Sequence, residues 1–182
     1  EGKEIQVEVY SKYPKVRLYL NDKLVGEQAT TEEQQFKATF TLPYKAGELK
    51  SVGVIDNKEV ETSILQTSGN AAKIRLIPDR SKISADGQDL SFVTVEITDT
   101  DGRLQPNAGN RLHFKIDGPG VIAGVDNANL SDLDSYVGTS RKAWHGRALV
   151  VIRSKKNAGN IKLTVSSQGL TKAILTVKTE MK

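Results

Sequence analysis

The 182-residue sequence contains no cysteine. Disulfide bonds, thiolate catalysis and cysteine-based zinc sites are therefore excluded. A chain without cysteine is compatible with the cytosol or with a bacterial periplasm. It does not fit the class of small secreted domains that disulfides hold together.

Long hydrophobic runs are also absent, and the charge is nearly balanced. No apolar stretch reaches the roughly 18–20 residues that a transmembrane helix requires, so we expect no membrane insertion. The 26 basic and 22 acidic residues are scattered along the chain. Nucleic-acid-binding proteins instead concentrate basic residues on one face, so we expect no nucleic-acid partner.

Signatures of catalysis and of cofactor binding are equally scarce. The two histidines, His113 and His145, have no partner at metal-ligand spacing, and no serine lies in a nucleophile elbow. The glycines between residues 118 and 124 have the wrong spacing for a dinucleotide loop, and no helix follows them. We therefore expect no catalytic residue and no cofactor in this chain.

One metal alternative stays open. The Asp99–Gly102 segment resembles the start of an EF-hand loop, but the later ligand positions are wrong, and we interpret it as a turn between strands. Calcium also accepts irregular cages of oxygen ligands. The candidate ligands for such a cage are Asp126, Asp132 and Asp134.

The sequence does contain segments in which apolar and polar residues alternate. Ile5, Val7 and Val9 alternate with polar residues, and so do Val16, Leu18 and Leu20. This period of two predicts half-buried strands. Short strands with turns every 8–12 residues predict an all-β fold of two consecutive antiparallel β-sandwich domains. The boundary lies in the small, polar segment 67–72, so we assign residues 1–69 to a small domain and 70–182 to a larger one.

The larger domain has the strongest strand signals, and it is expected to be an immunoglobulin-like sandwich of the invasin or adhesin type. Leu112, Phe114 and Ile116 alternate with polar residues. The run Leu149–Ile152 is continuously apolar, which predicts a central strand covered on both faces.

A single tryptophan, Trp144, is the best candidate for contact with a carbohydrate, because a flat ring can stack on a sugar face. Tyr136, Arg141 and His145 are close to it in sequence and complete the candidate set. The alternative, which we favour at this point, is that Trp144 packs in a core or an interface, as isolated aromatic residues in sandwiches usually do.

Several stretches together resemble the C-terminal region of bacterial glycoside hydrolase family 2 enzymes of the β-galactosidase type. Each stretch by itself is ordinary turn and strand chemistry, but their order along the chain is specific. They are Glu1–Ile5, Val16–Lys23, Pro43–Lys50, Ile83–Glu96, Ala123–Asn127 and Arg141–Val150. One departure is Ala128-Asn129, where the family usually has glycine and aspartate.

The resemblance implies immunoglobulin-like sandwiches that follow a catalytic (β/α)8 barrel, with both catalytic glutamates in the barrel. The implied function is a non-catalytic support of that barrel, which would be the partner of this chain, with a possible role in substrate approach or oligomer contacts. An oligosaccharide is a further candidate partner. The resemblance also implies a bacterial, periplasmic or exported enzyme, although the cytoplasm stays open.

Two other functions stay open. One is a stand-alone carbohydrate-binding module, and the other is an adhesin-type stalk of immunoglobulin-like domains. A stalk should show internal repeats, and residues 1–70 and 71–182 share no clear similarity.

Overall fold

The computed structural model describes residues 1–181, whose regular secondary structure is almost entirely β-strand. The chain divides into two compact units. Unit 1 comprises Glu1–Thr67, and unit 2 begins at Ser68. Within the described residues, no helix is long and apolar enough to cross a membrane.

Unit 1 contains six strands in two sheets. The strands are β1 (Glu4–Tyr10), β2 (Lys15–Leu20), β3 (Lys23–Ala29), β4 (Lys37–Pro43), β5 (Glu48–Ile55) and β6 (Lys58–Gln66). One sheet has the order β3-β2-β5-β6, and the other consists of β1 and β4 alone. A 3-10 turn at Glu32–Gln34 lies in the connection between β3 and β4.

The core of unit 1 follows the predicted alternation. Val16 and Leu18 of β2 pack with Ala38, Phe40 and Leu42 of β4. The hairpin between β2 and β3 turns at Asn21 and Asp22, whose φ angles of 51° and 62° are both left-handed. Two-residue hairpins of this type favour Asn and Asp at these positions. Asn21 and Asp22 are therefore well suited to this turn.

Unit 2 contains nine strands in two larger sheets. The strands are β7 (Lys73–Pro78), β8 (Lys82–Ser84), β9 (Leu90–Thr98), β10 (Arg111–Asp117), β11 (Gly120–Asp126), β12 (Ser140–Lys142), β13 (Arg147–Ser154), β14 (Gly159–Ser166) and β15 (Ala173–Glu180). Their orders are β12-β10-β14-β15-β8 and β11-β13-β9-β7. The pairs are antiparallel except β8 with β15, which is parallel.

The core of unit 2 is formed by the inward residues of both sheets. Val93, Val95 and Ile97 of β9 and Val150 and Ile152 of β13 belong to this core, together with residues of the opposite sheet. The all-β sandwich fold predicted from the alternation is confirmed, and it is compatible with an immunoglobulin-like arrangement.

The expectation that β13 is covered on both faces is wrong in part. β13 is central, because it pairs with β9 on one side and β11 on the other. Its inward residues are buried, but Leu149 and Val151 on the other face are only partly buried. A continuous apolar run therefore identified a central strand without showing that both faces are packed.

The Asp99–Gly102 turn is confirmed as a structural feature of unit 2. The buried Asp99 carboxylate accepts hydrogen bonds from the backbone N–H groups of Gly69, Asp101 and Arg103. These bonds, that from Gly69 foremost, hold the pKa of Asp99 below its usual value. The Asp99 side chain therefore stabilises the turn by accepting hydrogen bonds from the backbone.

A charge cluster lies on the outer face of the β7-β9-β13 region. Glu96 is buried between two cross-strand partners: Arg75 Nε donates to Glu96 Oε2 at 3.0 Å and Arg147 Nε donates to Glu96 Oε1 at 3.1 Å. Burial alone would raise the pKa of Glu96, but the two arginines outweigh it and hold the pKa below its usual value.

This cluster predicts an acid-sensitive stability of unit 2. A carboxyl whose pKa is lowered by folding stabilises the protein above its unfolded pKa of about 4.3, and that contribution is lost as the pH falls through the folded pKa. We expect Glu96→Gln to lower the free energy of unfolding at pH 7 by about 2 kcal/mol, since hydrogen bonds to charged groups are worth roughly that much. The loss should shrink as the pH approaches 3. Urea denaturation followed by Trp144 emission measures it.

The matched control is Glu180→Gln. Glu180 pairs with Lys178 and Lys82 at the surface, and all three side chains are about half exposed or more. Exposed ion pairs contribute at most about 1 kcal/mol. An equal loss in both variants would contradict the special role of Glu96.

Candidate functional site: the loop between β11 and β12

The candidate carbohydrate residues meet around the long loop 127–139, which joins β11 to β12 in unit 2. Arg141, at the end of this loop, is fully buried, with 0% of its surface exposed. Its Nη1 donates to the backbone oxygen of Asp134 at 2.6 Å, and its Nη2 donates to Asp126 Oδ1 at 3.4 Å. Its Nε lies 3.5 Å from Asp132 Oδ2. The guanidinium therefore contacts the loop at Asp132 and Asp134 and the end of β11 at Asp126.

Asn127 adds a second anchor at the start of the loop. Its Nδ2 donates to Asp132 Oδ2 at 2.5 Å and to the backbone oxygen of Lys142 at 2.9 Å. The N–H of Asp134 donates to Asp132 Oδ1, and this bond is the main reason that the pKa of Asp132 is lowered. The Asn127 amide and the Arg141 charge lower it further. Asp132 therefore stays ionised and joins both ends of the loop.

The same anchors leave large apolar side chains in solvent. Leu130 is 99% exposed and Leu133 is 98% exposed, while Tyr136 and Val137 are also mostly exposed. The Arg141 guanidinium carbon lies 5.1 Å from the centre of the Tyr136 ring, a cation–π distance. The loop thus holds exposed apolar residues on a base fixed by a buried charge.

Trp144 lies at a tight turn beside this loop and is 44% exposed. Its backbone exchanges two hydrogen bonds with Arg147 across His145 and Gly146, whose φ angles are 48° and 74°. The rings of Trp144 and His145 meet edge to face with their centres 4.5 Å apart. Trp144 is therefore not a core residue of unit 2, and its packing at an interface stays a prediction.

An open cavity of about 260 Å³ lies against Trp144. Polar residues form most of its wall, among them Arg111, Asn129, Asp132 and Lys142. Arg111 Nη1 donates to Asp134 Oδ2 at 2.8 Å at the rim. A half-exposed aromatic ring beside hydrogen-bonding groups is chemically suited to a sugar.

The four sequence candidates take different positions around this cavity. Trp144 lines it directly, whereas Tyr136 and His145 are outside its wall. Arg141 is buried beneath the loop and turned towards the loop's own carboxylates. Asn127 was missed as an anchor from the sequence, because an Asp-Asn pair at a strand end usually signals only a turn.

Each of the three calcium candidates is paired with an arginine. Asp126 and Asp132 face Arg141, and Asp134 pairs with Arg111. Among residues 1–181, no three His, Cys, Asp or Glu side chains are grouped in a way that could hold a metal ion. The structure therefore gives the calcium alternative no ligand set.

Ala128 adopts a left-handed conformation, with φ at 60°, at the position where the family resemblance expects glycine. The left-handed conformation costs a non-glycine residue about 1–2 kcal/mol. Glycine avoids this cost, but its more flexible unfolded state offsets part of the gain in stability. We expect Ala128→Gly to raise the free energy of unfolding by up to about 1 kcal/mol. Urea denaturation followed by Trp144 emission measures the gain.

Ala158→Gly serves as the control, because Ala158 is also exposed in a loop of unit 2 but has no left-handed φ. That change should lower stability by about 0.5 kcal/mol, since glycine only adds unfolded-state entropy there. A loss in both variants would show that Ala128 is not strained.

Comparison with known proteins covers nearly the whole chain. Residues 74–176 match the family described as glycoside hydrolase family 2 C-terminal domain 5. Residues 2–61 match a domain of unknown function, DUF4982. A β-galactosidase from Bacteroides ovatus is 37% identical over 180 residues, which are 98% of this chain and 21% of that enzyme. A β-glucuronidase from Formosa agariphila is 29% identical over 93% of this chain and 17% of its own length.

A solved structure shows the same fold. A family 2 glycosyl hydrolase from Bacteroides cellulosilyticus superimposes with a TM-score of 0.96 at 39% identity, over 99% of this chain and 23% of that one. This chain thus spans about a fifth of the curated relatives and solved enzymes that it matches. The predicted family resemblance is confirmed, and the chain belongs to the C-terminal region of the glycoside hydrolase family 2 enzymes.

Proposed function

We propose that this chain is the non-catalytic C-terminal β-sandwich region of a β-galactosidase-like glycosidase, and that it supports the catalytic part of the parent polypeptide. The observation that carries the proposal is the extent of the match. A β-galactosidase relative is similar over 98% of this chain, yet the match takes up only 21% of that enzyme. The remaining four-fifths leave ample room for a separate catalytic barrel.

The buried carboxyl groups of unit 2 have structural partners. Glycosidases use a pair of carboxyl groups, of which the acid has a raised pKa. The pKa values of Asp99, held by backbone N–H groups, and of Glu96, held by two arginines, are instead lowered. These groups are suited to holding strands and turns together.

The loop 127–139 offers a contact surface for the supporting role. Leu130, Leu133 and Val137 extend into solvent from a base that Arg141 fixes. Large apolar side chains grouped at a surface are typical of interaction sites. The loop therefore offers a rigid apolar surface for another part of the parent enzyme or for a second subunit.

A hydrolysis assay tests the non-catalytic role. We expect purified residues 1–182 to leave p-nitrophenyl β-D-galactoside intact, while the full-length parent enzyme cleaves it, because the acid and nucleophile are supplied by the barrel. The assay is the release of p-nitrophenolate. Turnover by the fragment that persists through repurification would overturn the proposal.

A carbohydrate-binding role is the second candidate, and the half-exposed Trp144 beside a polar cavity favours it. If sugar stacks on this ring, titration with galactose, lactose or larger oligosaccharides should shift and saturate the Trp144 emission. Calorimetry should then show heat that Trp144→Ala abolishes.

Tyr44→Ala is a useful control for that titration, because Tyr44 is a partly exposed aromatic residue of unit 1. It should leave the heat unchanged. No emission change and no heat with any of these sugars would remove the carbohydrate-binding candidate and leave the supporting role.

A further inference from the structure

The smaller sheet of unit 1 has an open edge. β1 pairs with β4 over its whole length, from Glu4–Pro43 to Tyr10–Lys37, and no other described strand lies against it. In an antiparallel pair, every second residue of a strand directs its N–H and C=O away from its partner. β1 therefore presents a row of backbone donors and acceptors on one side. Two strands alone also form a marginal sheet.

β1 has few of the features that normally protect an edge strand. Proteins block exposed edges with lysine, proline, bulges or very short strands. β1 has seven residues, contains neither lysine nor proline, and pairs with β4 without a register shift. Its charged residues, Glu4 and Glu8, lie on the outer face. The open edge of β1 is therefore suited to pairing with a further strand.

A groove runs beside this edge, between β1 and β6. Two depressions of about 290 Å³ and 330 Å³ adjoin, since both are lined by Val9, Tyr10, Ser51 and Ser63. The second of them is lined by the partly buried Leu49, with the buried Leu18 at its base. Leu65 of β6 stands at its side and is 70% exposed.

The inward side chains of β1 show that the core is incomplete here. Ile5, Val7 and Val9 point towards the core but are only partly buried. Val16 on β2 and Phe40 on β4 face the same core and are 1% and 4% exposed. The inward side chains of β1 are therefore incompletely covered on the side of unit 1 where this strand has no neighbour.

We propose that an extended segment of the parent polypeptide, from the part that precedes Glu1, fills this groove and pairs with β1 as the third strand of its sheet. The proposal rests on the function proposed above. Matching β1 requires about seven residues, or roughly 24 Å of strand. Alternate apolar side chains of that segment would cover Leu49 and Leu65, and its backbone would pair with the open edge of β1.

Two observations point to this occupant. The matched family is a C-terminal domain, so most of such an enzyme precedes it, and the chain amounts to 21% of a β-galactosidase relative. A strand from the same polypeptide also has a high effective concentration at the groove and needs no separate partner. Main-chain pairing at a sheet edge is a common way to add a strand.

Hydrogen–deuterium exchange on the full-length enzyme tests the added strand. β3 is the internal reference, because it is also an edge strand and pairs only with β2. If a third strand covers β1, the amides of residues 4–10 should exchange at least roughly tenfold more slowly than those of residues 23–29. Equal exchange in β1 and β3 would overturn the proposal.

A matched pair of variants in the full-length enzyme gives a second readout. Leu65 faces the groove, whereas its neighbour Ile64 pairs with Lys50 on the opposite face of the sheet. Leu65→Asp should accelerate exchange in residues 4–10 and lower the melting temperature, because it places a charge under the added strand. Ile64→Asp should do neither. The same response in both variants would also overturn the proposal.

Activity separates this proposal from the proposed function. A full-length enzyme that fails to cleave p-nitrophenyl β-D-galactoside would count against the assignment of the parent as β-galactosidase-like. Protection of β1 in that same enzyme would still show the added strand. Cleavage with an unprotected β1 would leave the function standing and remove the strand.

Discussion

A β-strand exposes alternate side chains on its two faces, and a sandwich is stable only where a second sheet covers the apolar face. Unit 2 meets this constraint fully in its core, where residues such as Val93, Val150 and Leu163 are completely buried between the sheets. Unit 1 meets it for β2 and β4 but only in part for β1. The side chains of β1 are incompletely covered because this strand has a neighbour on one side only.

The loop 127–139 adds a different kind of constraint, that of a buried charge. A guanidinium removed from water is costly unless carboxylates and carbonyl oxygens surround it. Arg141 is surrounded by Asp126 at the end of β11 and by Asp132 and the Asp134 carbonyl in the loop, so the loop takes a shape that keeps them together. The backbone that carries the exposed leucines is anchored by these contacts. A rigid contact surface thus depends on a residue that solvent never reaches.

The two features support one description of the molecule as part of a larger enzyme. An apolar loop on unit 2 and an open strand edge on unit 1 are both surfaces of the kind that proteins use for contacts. Each lies within its own unit and is argued from that unit's contacts. The cysteine-free composition fits the same description, because these sandwiches derive their stability from core packing and paired charges.

Local pattern determined much of this structure. Ile5, Val7 and Val9 alternate, and Asn21-Asp22 is a two-residue turn, because these preferences act between near neighbours in the chain. The sequence pattern therefore sufficed for the strands, the hairpin and the sandwich class, and the ordered motifs sufficed for the family. Such patterns do not specify the contacts between residues that are far apart in the chain.

The tertiary structure alone decided the burial of Arg141, the half-exposure of Trp144, the outer face of β13 and the missing neighbour of β1. Each of these depends on which strands pair and which loops fold over them. Burial is a property of residues brought together from far along the chain, whereas strand and turn propensity is a property of adjacent residues.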